Sequence, residues 1–180
     1  FQVASVATST GFATVDSSIW PWTAQLLLII MTLQCACSGS TSGGIKVDRI
    51  VVALKAFLRQ IKLLLHPRAV IPVRLEGRRI EDDLIGRSLL FILTYLVFCT
   101  LATLTLCRMD MDLISAFSGT VACMGNVGPG LGTVGSVDNY GHLPVAARWL
   151  LSGMMLLGRL EIWALILFLL PNQWRRSVAY

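Results

Sequence analysis

Residues 88–107 (SLLFILTYLVFCTLATLTLC) run for twenty positions without a charged side chain. A helix that crosses the hydrocarbon core of a bilayer needs about twenty such residues. Backbone at that depth finds no water, so it must bond internally as a helix or a closed barrel. The segment predicts a spanning helix, and the remaining elements have to be arranged around a membrane. Composition agrees. The 180 residues are 55% hydrophobic and 14% charged, with mean hydropathy +0.71, against about 25% charged in ordinary soluble domains. This excludes a disordered tail, a nucleic-acid binder and a small disulfide scaffold, and it argues against a soluble enzyme.

The net charge of +5 is spread in a way that points to topology rather than to nucleic acid. Lys46, Arg49, Lys55, Arg59, Lys62, Arg68, Arg74, Arg78 and Arg79 cluster in one stretch, and Arg175 and Arg176 follow the last apolar run. Basic residues beside apolar spans mark the cytoplasmic side. With 46–79 inside, the span at 88–107 runs outward, Asp110, Asp112 and Asp138 lie outside, and a second span at 149–170 returns, placing Arg175 and Arg176 inside. That second span carries Arg159 and Glu161 near its middle and ends at Pro171. The five cysteines sit in apolar sequence as small hydrophobes, Cys35 and Cys37 being too close for a relaxed disulfide. The chain opens on Phe1 within a motif and is read as part of a longer protein.

Residues 22–37 are apolar but too few to span, and Ser-Gly-Ser-Thr-Ser-Gly-Gly follows at 38–44. No continuous helix would choose that run. The expected structure is a membrane helix broken in its inner part, continuing over 45–65 as an amphipathic arm towards the cytoplasm. A phosphate-binding loop ahead of Lys46 is the competing reading. It lacks the Gly-Lys-Ser/Thr ending, and a membrane helix stands where a strand is required.

Residues 1–16 and 112–133 each run from a short helical stretch into a glycine turn, Ser9-Thr10-Gly11-Phe12 and Asn126-Val127-Gly128-Pro129. Both are too short to cross and return as two helices, so re-entrant hairpins are expected. Several such turns facing one axis could offer backbone carbonyls to a dehydrated cation. Asp16, Asp110, Asp112 and Asp138 would raise the external cation concentration, or serve simply as a solvated loop. Arg159, costly at mid-bilayer by about 2.5–3.5 kcal/mol on insertion scales, must face protein or water. Glu161 lies on the opposite face of the same helix, so it is expected to pair with another helix. His66 and His142 carry no catalytic constellation, and no metal cluster or nucleophile with a base is evident.

The motifs TSTGF (8–12), CSGSTSGGIKVDRI (37–50), HPRAV (66–70), GNVGPGLG (125–132) and MLLGRLEI (155–162) resemble the C-terminal part of the TrkH family, within the Trk/Ktr/HKT superfamily of potassium transporters. The resemblance covers nearly the whole chain. It implies an all-α integral membrane fold of potassium-channel-like repeats, each helix, re-entrant pore loop, helix, around a pseudo-fourfold axis. Residues 1–66 would be the end of the third repeat, 67–83 a cytoplasmic linker, and 84–180 the fourth repeat with the C-terminus. Gly11 and Gly128 would be filter glycines, and carbonyls of Ser9, Thr10, Asn126 and Val127 would line the K+ sites. Gly39, Ser40, Thr41, Ser42, Gly43 and Gly44 would form a gating loop, with Arg159 nearby repelling cations in the closed state. The implied activity is potassium uptake, not enzymatic, without a bound cofactor, in a multi-pass protein of the bacterial inner membrane. The implied partners are membrane lipid, a homodimeric second copy and a cytosolic nucleotide-binding regulatory subunit resembling TrkA. A broken-helix secondary carrier for another cation or small solute is the alternative, although it would need inverted repeats, and the two units here run in the same direction.

Overall fold

A computed structural model describes residues 1–35, 37, 39, 40, 42–67, 69, 71–75, 78–160 and 162. Six α-helices dominate it: α1 (Gln2–Ala7), α2 (Trp22–Gln34), α3 (Val47–Leu65), α4 (Asp82–Cys107), α5 (Leu113–Met124) and α6 (Val145–Arg159). Among the described residues the fold is all-α apart from one antiparallel hairpin, β1 (Arg74–Leu75) with β2 (Arg78–Arg79).

Helix α4 contains the expected span. Its 26 residues reach ~39 Å at 1.5 Å per residue, enough to cross with a turn to spare. Its buried side chains, Phe91, Tyr95, Cys99, Ala102, Thr103 and Leu106, recur at helical spacing on one face. Leu89, Leu93, Leu96, Leu101 and Leu104 on the other face are exposed apolar surface. Of the second expected span, α6 and Ile162 are described, whereas Glu161 and residues 163–180, including Arg175 and Arg176, lie outside the described residues.

Helix α5 is the re-entrant element. Its 12 residues extend only ~18 Å, roughly half the hydrocarbon thickness. All but three of them are buried, Ala116, Val121, Met124 and Thr120 completely. Asp112 starts it, its carboxylate accepting a hydrogen bond from the Ser115 amide at 3.1 Å. Burial raises the Asp112 carboxyl, but hydrogen bonds from Ser115 outweigh it and hold the group below its ordinary range. Asp16 similarly accepts from the Ser18 amide at 2.8 Å. Both residues, read in the sequence as a diffuse external field, therefore have local capping duties.

Three clusters organise the core. Ile45, Phe91, Tyr95, Cys99, Met124, Met154 and Ile162 join α4, α5 and α6 with the chain entering α3. Leu106, Ala116, Cys123, Val134, Leu143, Ala147 and Leu151 join α4, α5 and α6 with the loop beyond α5. Val52, Val73 and Ile85 pin α3 to the start of α4. Arg49 stacks on the Phe91 ring at 3.8 Å, and Arg59 pairs with Asp82, so α3 runs antiparallel beside the first turns of α4. The stretch 67–83, expected as a plain linker, contains the hairpin. Val73 and Ile80 flank it and pack towards Val52 and Ile85, while the Ile80 amide donates to the Val73 carbonyl at 2.9 Å. Two-residue strands leave too little alternation in a sequence to be read in advance.

The capping geometry carries a test. Replacing Asp112 with Ala removes the one side-chain acceptor at the start of α5, an effect of ~1 kcal/mol for an N-cap. Asp112→Ala should lower the midpoint of thermal unfolding in detergent, and Asp112→Asn, which retains the acceptor, should recover most of the loss.

Candidate functional site

The two glycine loops are copies of one backbone design. Ser9 and Asn126 both lie in the left-handed region, at φ 55° and 56°, and Gly11 and Gly128 follow at φ 75° and 104°. In both loops a left-handed residue is followed two positions later by a left-handed glycine, which takes that conformation without a Cβ penalty. The hydrogen bonds repeat as well. The Ser5 carbonyl accepts both the Thr10 amide (2.8 Å) and the Gly11 amide (3.4 Å). The Ala122 carbonyl accepts the Val127 amide (2.9 Å) and the Gly128 amide (3.4 Å) in the same way. The last carbonyls of α1 and α5, otherwise unpaired at a helix end, thus hold the loops that follow them.

The two loops meet directly. A Cβ on Gly11 would lie 2.1 Å from the Val127 carbonyl oxygen, so only glycine permits this approach. Among the described residues nothing comes within 4 Å of the corresponding position at Gly128. Around them, the outer linkers are tied together. The Ser17 amide donates to the Ser136 hydroxyl at 3.3 Å, and that hydroxyl donates to the Val15 carbonyl at 3.3 Å. The descending limb after Gly128 is fastened to α5 by two serines. Ser118 accepts from the Leu131 amide (2.8 Å), and Ser115 accepts from the Thr133 amide (2.9 Å).

The chain after α2 forms the second part of the site. The helix ends at Gln34, where Cys35 turns to φ 23°. It ends three residues before the expected boundary at Cys37. After the excursion, the Ile45 amide returns to donate to the Leu33 carbonyl at 3.2 Å, so the loop leaves and rejoins the helix at nearly one level. Gly43 is buried beneath α5. A Cβ there would lie 2.8 Å from the Met124 carbonyl oxygen and 2.9 Å from Asn126 Nδ2. Gly158 of α6 approaches the same Met124 oxygen, its hypothetical Cβ falling within 1.9 Å. Asn126 Nδ2 donates to the Met155 carbonyl at 3.2 Å. One asparagine side chain therefore sits at the junction of the glycine loop, the 42–44 segment and α6.

Ser40, Ser42, Gly44, Lys46, Arg49 and Arg159 line a cavity of about 400 Å3, together with Phe91, Gly158 and Leu160. Arg159 thus shares a cavity with the loop that interrupts the helix. Gly39 is exposed, a Cβ there meeting none of the described residues within 4 Å, and Thr41 lies outside the described residues. The Cys35 thiol reaches the Val6 carbonyl of α1 at 3.8 Å, which places the break after α2 under the first glycine loop. Among the described residues no group of three or more His, Cys, Asp or Glu could hold a metal ion. Site residues that escaped the sequence are Ser5, Ser115, Ser118 and Tyr140, which hold the loops from behind. Only the Ser115/Ser118 spacing, two hydroxyls on one face of an apolar helix, carries a readable signal.

The family model described as TrkH, cation transport protein, matches residues 1–175. The Trk system potassium uptake protein TrkI of Halomonas elongata is 40% identical over 179 residues, covering 98% of this chain and 36% of the relative. The Trk system potassium uptake protein TrkH of Escherichia coli K12 is 37% identical over 175 residues, covering 97% and 36%. The crystal structure of the potassium transporter TrkH from Vibrio parahaemolyticus superposes with a TM-score of 0.85 at 34% identity, covering 96% of this chain and 36% of that one. The chain thus spans about 36% of the length of these relatives.

The glycine contacts give a contrast within one helix. Gly158→Ala would drive a methyl group into the Met124 carbonyl, whereas a Cβ on Gly153 meets nothing within 4 Å. Gly158→Ala should sharply reduce the yield of folded protein in fluorescence-detected size exclusion. Gly153→Ala should leave the yield unchanged or raise the melting temperature, since alanine is favoured over glycine by up to ~1 kcal/mol in a helix.

Proposed function

The chain belongs to the TrkH family of cation transport proteins, and from that premise we propose that it forms two of four pore-lining units through which potassium enters a bacterial cell across the inner membrane. Residues 1–66 are read as the end of the third repeat, 67–83 as the cytoplasmic connection and 84–180 as the fourth repeat with the C-terminus. The observation that carries the reading is the pair of glycine loops with matching backbone turns and hydrogen bonds, with Gly11 packed on the Val127 carbonyl. Carbonyls of Ser9, Thr10, Asn126 and Val127 replace water around the ion, a role backbone oxygens fill without a charged group in the membrane. Gly11 and Gly128 provide the backbone conformation that aligns them. The relatives' names, Trk system potassium uptake proteins, support potassium as the transported ion.

The loop at 39–44, Thr41 included, acts as the gate. It lies against the Met124 carbonyl and the Asn126 amide, so a closed loop rests on the inner end of the fourth-repeat filter. Arg159 and the loop hydroxyls of Ser40 and Ser42 share one cavity, where the guanidinium repels a cation until the loop moves away. The basic stretch 46–79 faces the cytoplasm and anionic lipid, and it offers a surface to a cytosolic nucleotide-binding regulatory subunit of the TrkA kind. The working unit is a homodimer. No covalent chemistry is involved, and the protein is not an enzyme.

The test uses the full-length protein containing this segment, expressed in a bacterium lacking its own potassium uptake systems. Growth at limiting potassium and uptake of rubidium are expected. Failure of both, with the protein present in the inner membrane, would remove the assignment. Two variants refine it. Gly128→Ser should reduce the preference for potassium over sodium. Gly43→Ala, which pushes the loop off the Met124 carbonyl, should raise flux, and reduced flux would indicate that the loop is not a barrier.

A further inference from the structure

The two filter loops share their internal hydrogen bonds but are held differently from outside. In the fourth-repeat loop the Tyr140 hydroxyl donates to the Gly128 carbonyl at 2.7 Å. In the third-repeat loop no described residue bonds the Gly11 carbonyl. There the Ser5 hydroxyl donates instead to the next carbonyl, Phe12, at 2.6 Å. Tyr140 comes from the external loop, twelve residues after the glycine it holds. Its ring lies beside Gly119 of α5, within about 3.7 Å of where a Cβ would stand, and it packs with the cluster of Leu106, Cys123, Val134 and Leu143. Burial pushes the phenol up from its ordinary value, so it remains a protonated donor. The Asn139 side chain accepts from the Gly141 amide at 2.8 Å, fixing the short helical turn that carries the tyrosine.

We propose that Tyr140 is a positioning residue for ion selection, fixing the rotation of the Gly128 peptide and thereby the direction of the carbonyls on either side of it. The inference rests on the filter reading above. Gly128 sits at φ 104°, and among the described residues nothing lies within 4 Å of its Cβ position, so that face is unpacked while the Tyr140 hydroxyl holds its carbonyl. The peptide that follows Gly128 joins it to Pro129, so it carries an oxygen and no N–H. With that oxygen held by Tyr140, the plane of the peptide is fixed, and with it the backbone from which the Val127 oxygen projects. A backbone free to rotate there would vary the oxygens around the ion and discriminate poorly between ions of different size. The third repeat obtains the same result by packing, because the Val127 oxygen is wedged against Gly11. The ring is thereby built from unequal members, one held by a side chain of the external loop and one by its neighbour.

The experiment compares full-length wild-type protein with Tyr140→Phe and Leu143→Ala in the uptake-deficient host, measuring the apparent KM for potassium, the maximal rate and competition by sodium. Tyr140→Phe keeps the ring and removes the donor. Its potassium-over-sodium preference should fall about fivefold, the scale on which one neutral hydrogen bond moves an equilibrium, through KM rather than maximal rate. Leu143→Ala loosens the same cluster without touching the bond and should lower thermal stability with preference unchanged. An unaltered preference in Tyr140→Phe overturns the proposal, as does an equal loss in Leu143→Ala. If Tyr140→Phe does not accumulate, 3-fluorotyrosine at position 140 serves instead. Its more acidic phenol is a stronger donor and should raise the preference, and no change overturns the proposal. A wild-type protein that carried no alkali cation would remove the filter reading and this inference together, whereas normal wild-type transport with an indifferent Tyr140 removes only the inference.

Discussion

A helix that stops halfway through a membrane leaves its last carbonyls without partners, and the surrounding lipid has nothing to offer them. In this protein, carbonyls near the ends of α1 and α5 are taken up by the loops that follow. Ser5 and Ala122 each accept two amides from the residues that then turn back outward. Every other feature of the site depends on that exchange. It places a left-handed residue at Ser9 and Asn126, a glycine two positions later, and a row of carbonyls that are bonded to nothing in their own loop. The remaining oxygen, Met124 O, is sealed by two glycines from elsewhere, Gly43 and Gly158, which approach it too closely for any side chain.

The same economy explains why small residues gather where the chain is most irregular. The break after α2 is bordered by Cys35 at φ 23° and Gly44 at φ 90°, and the Ile45 amide returns to the Leu33 carbonyl. An interruption that rejoins its helix at the same level preserves the path of the chain while detaching a short segment from it. Such a segment is held by packing against α5 and α6 rather than by its own backbone ladder. Movement then costs a few contacts, not a length of helix.

Much of the architecture was legible beforehand because hydrocarbon penalises charge and unpaired backbone so heavily. The run 88–107 had to be a helix, the run 112–133 was too short for two, and 38–44 could not continue a helix. The observed α4, α5 and the end of α2 at Gln34 follow those constraints. The hairpin at 74–79 was not legible, since it exists only because Val73 and Ile80 find Val52 and Ile85 beneath them. The capping roles of Asp16 and Asp112 were not legible for a related reason: a carboxylate in a list of acidic residues does not reveal which amide it caps.

Order along the chain alone determined that a membrane is crossed, where it is entered without being crossed, and which glycines mark the two turns. Those properties depend on residues close together in sequence and on a solvent that tolerates few alternatives. Only the tertiary structure decided that Gly11 rests on Val127, that Asn126 reaches α6 and the 42–44 segment, and that Tyr140 holds Gly128. These pairings are made by single oxygen and nitrogen atoms whose directions are set by the packing of several helices at once. No local pattern of residue types encodes a direction of that kind.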